Sequence, residues 1–162
     1  MKFKPGNIVH FHSLIGMGHE GKEYLVENVW YRDKGEYRWA YRLAGKAGYV
    51  VEPGLSLARK TPLDSMRLRV EMGDGSHWDI PVGVIAVSRA KHYVDEFAGS
   101  LLQSYTDDTM LLFATEKDEI IDYAANNMNW SDVARYAIKV KEDDPVDYQE
   151  GWVNGEKEVL NE

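Results

Sequence analysis

The stretch RLRVEMGDGSHWDIPVGVIAVSRA, residues 67–90, decides the fold. From Arg67 to Met72 charged and apolar residues alternate, which is the period of a strand with one buried face. Gly73-Asp74-Gly75-Ser76 follows, and Asp-Gly between alternating runs marks a tight hairpin because the turn needs positive φ. His77-Trp78-Asp79-Ile80 is the return strand. Pro81 ends it, and proline is tolerated in the first turn of a helix. From Val84 to Phe97 the period becomes helical: Ala86, Ala90, Tyr93 and Phe97 share a face with Val87 and Val94 beside it. Ser88, Arg89, Lys91, His92, Asp95 and Glu96 lie mainly on the other side. A hairpin followed by a helix predicts an α+β protein.

Upstream, Asn7 to Leu14, Tyr24 to Tyr31, Glu36 to Leu43 and Tyr49 to Val51 read as short strands separated by turns. Leu55 to Ala58 supplies a fifth that closes the sheet. This spacing predicts a small β-barrel over residues 1–58. The opening Pro5-Gly6-Asn7-Ile8-Val9 resembles the first strand of SH3-like barrels. Residues 59–65, polar and containing Pro62, read as a linker to a hairpin-plus-helices unit over 66–140.

Downstream of that hairpin and helix, residues 98–105 read as a loop, Thr106 as a helix cap before Asp107 and Asp108, and 107–115 as helix or strand. Lys117 to Asn127 is helical, with Ile120, Ile121 and Ala124 on one side. Asn126 to Asn129 breaks it, and Asn129 or Ser131 caps a short helix running through Ile138. Residues 141–162 form an acidic tail. Its Tyr148, Trp152, Val153, Val159 and Leu160 predict partial docking onto the body, and Asn154-Gly155 marks a hairpin.

Charge is unevenly divided. Residues 1–62 hold ten Lys/Arg against six Asp/Glu, a net of +4; residues 63–162 hold nine against twenty-one, a net of −12, giving −8 for the chain. A net of −8 argues against non-specific nucleic-acid binding by the whole chain but leaves the basic first part available. Ten Tyr and five Trp exceed the needs of a core this size and point to a binding surface. The chain has no cysteine, which excludes disulfides, thiol catalysis and cysteine zinc sites. The N-terminus lacks an apolar signal region, and no run approaches the ~20 apolar residues of a membrane span. A cytoplasmic protein is expected.

Several motifs carry chemistry on paper. Gly16 to Lys22 fits both G-x-G-x-x-G and G-x-x-x-x-G-K, but a strand-like segment follows where phosphate binding needs a helix, and Glu23 stands where a P-loop needs Ser or Thr. His10, His12 and His19 are near enough to suggest a metal, against the commoner case of solvated imidazoles. Asp74, Asp79, Asp118 and Glu119 offer acid pairs for a hydrolase, which would need perturbed pKa values. No catalytic residue, cofactor or metal is assigned.

Two binding constellations remain. Arg32, Arg38, Trp39 and Arg42, with Lys34 and the aromatics Trp30, Tyr31, Tyr37 and Tyr41 interleaved, suit single-stranded nucleic acid or a peptide. The competing reading puts aromatics in the core and charges in solvent. Arg89, His92 and Tyr93, with Asn126, Asn127 and Trp130, suit a nucleotide-like ligand: arginine for phosphate, asparagine for base edges, aromatics for stacking. Here the competing reading is helix termination with Trp130 in the core.

Residues 66–140 resemble small proteins of bacteriophages and prophages. The resemblance is carried by Asp74-Gly75-Ser76-x-Trp78-x-Ile80-Pro81, by Ile85-Ala86-x-x-Arg89-Ala90-x-x-Tyr93, and by Asp122-Tyr123-Ala124-Ala125-Asn126-Asn127-Met128-Asn129-Trp130. Part of it resembles phage anti-defence proteins of the kind that sequester cyclic ADP-ribose signals in anti-Thoeris systems. It implies a non-enzymatic protein in the cytoplasm of a bacterial host, binding a nucleotide signal or a host protein, the latter by acidic mimicry. The alternative expectation is a nucleic-acid-binding accessory protein working through the basic N-terminal barrel. No membrane partner is expected; homo-oligomers are compatible with either reading.

Overall fold

The computed structural model describes residues 1–12, 21–141 and 148–161. Its first sheet has five antiparallel strands: β1 (Ile8–Phe11), β2 (Glu23–Tyr31), β3 (Trp39–Leu43), β4 (Val50–Val51) and β5 (Leu55–Arg59). Their order is β4-β3-β2-β1-β5. Alternation sorts β2 and β3 as expected: Val29, Tyr41 and Leu43 are buried with Phe3, Val9, Tyr24, Val26, Val50 and Leu55 in one core.

The barrel expected over residues 1–58 does not close. β4 and β5 are the two edges of an open sheet. The turn between them, a single 3-10 turn at Glu52–Gly54, gives its Gly54 carbonyl to the amide of His12 at 2.8 Å. The chain is thereby turned onto β1 rather than back along β4.

The second sheet contains the hairpin. β6 (Met66–Glu71) and β7 (His77–Pro81) pair with Val70 opposite Trp78 and Glu71 opposite His77. Gly75 takes φ +75 in the turn, which is the conformation that selects glycine there. β8 (Ile138–Lys141) adds beside β7, and β9 (Lys157–Asn161) beside β6, to give the order β8-β7-β6-β9. The acidic tail therefore supplies a sheet strand.

Helices cover the inner face of this sheet. α1 (Val82–His92) starts directly after Pro81, two residues before the helical period suggested, and ends before Tyr93. A 3-10 turn at Val94–Phe97 follows, and Ala98 takes a left-handed φ of 51. The loop expected at 98–105 is mostly helix. Ser100 accepts a bond from the Gln103 amide, starting α2 (Leu101–Gln103), which runs through a π-turn at Ser104–Thr109 into α3 (Met110–Thr115). Thr106 therefore lies inside that turn and caps nothing. α4 (Lys117–Asn127) and α5 (Trp130–Val133) follow; Asn129 and Asp132 form the box that caps α5.

α6 (Tyr148–Asn154) replaces the hairpin expected at Asn154-Gly155. Gly155 packs so tightly that an added Cβ would lie 1.9 Å from the Glu71 carbonyl oxygen. Contact with β6, rather than a local turn, thus selects glycine here. Trp152 is fully buried, its Nε1 donating to the Met128 carbonyl at 2.8 Å.

Both parts of the chain share one core. Ile8 and Leu25 from the first sheet join Leu68, Val70, Ile80, Ile85, Tyr105, Phe113 and Trp152. Residues 59–65, expected as linker, contain the end of β5 and a 3-10 turn, Pro62–Ser65, boxed by Thr61 and Asp64. Asn7 donates to the Asp64 carboxylate at 3.0 Å across the boundary. Among the described residues no helix is long and apolar enough to cross a membrane.

Candidate ligand-binding face

The first sheet is covered on one face by its own core and, near β1, on the other face by the second part of the chain. Ile8 and Leu25 face one another in register and point into the shared core. A register shift between Val26 and Asn28 follows, and Asn28 stands opposite Arg42, Trp30 opposite Ala40, and Ala40 opposite Val51. The sheet face that the second part covers at β1 is therefore left open at β3 and β4. A step forms where the open face meets the covering unit.

On the open face lies a cleft of about 520 Å³, lined by Trp30, Arg32, Ala40, Tyr49 and Val51. The small Ala40 side chain lets the rings of Trp30 and Tyr49 meet above it, 4.7 Å apart and edge to face. Tyr49 is 62% exposed. Such rings present a free face to a flat ligand.

The wall of the step is basic. Asn28 accepts a bond from Arg135 Nη2 at 2.7 Å and another from the Tyr136 hydroxyl. Glu27, the extra residue of the register shift, lies 3.3 Å from Lys91 and 3.8 Å from Arg42. Arg42 and Lys91 are about half exposed while Glu27 is mostly buried. Around one largely covered carboxylate stand Arg42 and Lys91, and Arg135 is bonded to the neighbouring Asn28. This local excess of positive charge belongs to a chain whose net charge is −8.

The four residues Arg32, Arg38, Trp39 and Arg42 divide between two faces. Arg32 and Arg42 share the open face with Trp30. Trp39 turns the other way, its ring 5.2 Å from Tyr31, and Arg38 donates to the Tyr31 hydroxyl and the Asp33 carbonyl. A second cleft, about 420 Å³, lies there among Lys2, Glu36, Tyr37, Arg38, Trp39, Glu52 and Pro53. Its charges are mixed. Sequence reading missed Tyr49 and Arg135; Arg135 reaches Asn28 from 107 positions away, so no local pattern signals it.

The nucleotide-site candidates sit in two groups. Arg89 is 13% exposed, ion-paired with Asp108, bonded to Thr109 at 3.0 Å and stacked over Tyr93 at 4.6 Å. His92 rests edge-on against Tyr93. Asn126 bonds Asp122, and Asn127 bonds the Tyr123 carbonyl. Trp130 belongs to an aromatic group with Trp78, Tyr148 and Trp152, stacked on Tyr148 at 5.6 Å. Among the described residues no hydrogen bond, ion pair or ring contact joins Arg89, His92 or Tyr93 to Asn126, Asn127 or Trp130.

The remaining candidates are occupied or lie outside. Of the glycine loop, residues 16–20, with His19, are outside the described residues. His12 Nε2 is 2.6 Å from the Ser56 hydroxyl, and the His10 and His12 rings are 6.5 Å apart. Among the described residues no cluster of three or more His, Asp or Glu is arranged to hold a metal. Asp79 is held by both nitrogens of an Arg69 fork. Desolvation is the largest single influence on the Asp74 carboxyl and raises it, but hydrogen bonds from Ser76 and the Lys139 charge together outweigh it and hold the group below its ordinary range, the wrong direction for a general acid.

Comparison with protein-family models, with curated proteins and with solved structures finds no match.

Proposed function

We propose that the protein is a non-enzymatic binding module whose working surface is the open face of β2, β3 and β4, and that it binds nucleic acid there. The first sheet is read as a variant of the SH3-like arrangement. Its strand order and the 3-10 turn between β4 and β5 support that reading. The observation carrying the function is the Trp30–Tyr49 pair set beside Arg32 and Arg42. Aromatic rings stack on bases, and arginines outside the core meet phosphates.

The test is fluorescence anisotropy with a labelled dT12 oligonucleotide. Tyr49→Ala is expected to weaken binding by about tenfold, since stacking on one ring is worth ~1–3 kcal/mol. Arg32→Ala should weaken it and flatten the salt dependence. No measurable dT12 binding at low salt, or binding indifferent to both variants, would remove the proposal.

A second reading, antagonism of a host factor by the acidic part, is favoured by the exposed Glu116, Asp118, Glu119 and Asp122 around α4. It predicts that Asp118→Lys with Glu119→Lys abolishes antagonism in infected cells and leaves dT12 binding intact.

A further inference from the structure

We infer that the ligand is a single-stranded nucleic acid whose path climbs the step, so that Arg135 of the second unit provides a phosphate contact the first sheet lacks. This rests on the preceding reading and adds a partner class, a direction and a residue to it.

Three observations set the path. Trp30, which lines the cleft, and Asn28 stand at alternate positions of β2, and Arg32 to Asn28 spans about 13 Å at the usual rise of a strand. That length suits a few nucleotides, near the lower end of the sites small β modules use. Next, Arg135 is exposed yet anchored: its guanidinium is tied to Asn28 and lies 4.8 Å over the ring of Tyr136. A guanidinium fixed by one hydrogen bond keeps its other donors for phosphate and loses less entropy on binding. Finally, Asn28 and Trp30 lie on one face of the same strand, so the guanidinium and the stacking ring hold a set separation.

Duplex is disfavoured by shape. The rings line a cleft on the sheet face, which an unpaired base can enter while a paired one is hidden in its stack. A flexible polyanion without bases would use the arginines and leave the rings unused.

The experiment titrates the full chain with labelled dT12 from 50 to 200 mM salt, with Arg135→Ala and Tyr49→Ala variants, heparin and a 12-base-pair duplex as competitors, and circular dichroism as the fold control. Arg135→Ala is expected to weaken dT12 binding three- to tenfold and to reduce the salt slope by ~0.7, the value of one phosphate on a single strand. Asn28→Ala, which frees the guanidinium without removing its charge, should weaken binding less and keep the slope. If Tyr49→Ala weakens binding while Arg135→Ala leaves affinity and slope unchanged, the path over the step is wrong and the module reading stands. If heparin or the duplex competes as well as unlabelled dT12, the single-strand assignment is overturned. If the wild type fails to bind dT12, both readings fall.

Discussion

Gly6 and Gly83 lie back to back. A Cβ on Gly6 would stand 2.7 Å from the Gly83 Cα, and a Cβ on Gly83 would stand 2.4 Å from the Pro5 carbonyl oxygen. The N-terminal segment thus rests on the first turn of α1 with no side chain between, and Gly6 reaches this position with φ +91. The contact is one of the points that fix the first sheet against the second unit, across which Arg135 bonds Asn28.

Gly83→Ala tests that seam. In an isolated helix the change would be favourable by up to ~1 kcal/mol. Here the methyl meets backbone, which must shift, and overpacking of this kind costs ~1–3 kcal/mol. A net loss of stability is expected in urea unfolding, with a lower midpoint. A rise in stability would mean that the N-terminal segment moves away at little cost.

Arg89 yields a second prediction, and it separates a structural arginine from a ligand-binding one. Its guanidinium is mostly buried between Asp108, Thr109, Tyr93 and Phe113. Arg89→Ala should cost on the order of 2–4 kcal/mol, because it leaves Asp108 without its partner and opens a gap beneath Tyr93. Arg89→Lys should recover little of this, since an ammonium lacks the planar fork and stacks less well. An Arg89→Ala protein as stable as wild type would return Arg89 to the ligand-binding candidates.

Trp152 tests the reading of the tail. It is fully buried and its indole N–H is used, so Trp152→Ala should cost ~3–5 kcal/mol. Trp152→Phe should cost less, the remainder reflecting a Met128 carbonyl without its donor. Thermal melts of both variants check the ranking; a tail that merely rests on the surface would show neither loss.

What the sequence disclosed follows the range of the interaction. The β6–β7 hairpin was legible because Asp74-Gly75 and the flanking alternation are local. The strand cores of β2 and β3 were legible for the same reason. β9 was not: it pairs Leu68 with Val159 and Arg69 with Glu158, partners about ninety positions apart, and its Asn154-Gly155 imitates a hairpin while packing against Glu71. The helix through 101–115 was expected only in part, because its start rests on a single cap, Ser100, inside a segment read as loop over 98–105. At the candidate face the Trp30 and Arg32 signal was visible at the end of β2. Arg135 was invisible, as its role depends on Asn28. The Arg89 grouping is ambiguous in sequence because arginine, tyrosine and asparagine near helix ends look alike whether they hold a ligand or each other.

Buried phenols predict an alkaline limit to stability. Burial, and then the hydrogen bond donated to Glu52, push Tyr41 up to about 12. Burial and the nearby Asp64 charge raise Tyr105, and burial raises Tyr136 against an opposing effect of Arg135. In the unfolded chain each phenol loses its proton near pH 10. A folded-state pKa above that value means the folded protein binds more protons through the interval, so stability falls as pH rises. For Tyr41 the contribution, about 2–3 kcal/mol, is fully present below pH 10 and is lost between pH 10 and about 12. Lys157, lowered by burial, works in the opposite sense below the ordinary lysine range. Urea unfolding at pH 8, 10 and 11 should show this decline. Tyr41→Phe, less stable at pH 8 for want of the Glu52 bond, should decline less steeply. Equal slopes for wild type and Tyr41→Phe would mean that Tyr41 ionises in the folded protein as it does in the unfolded chain.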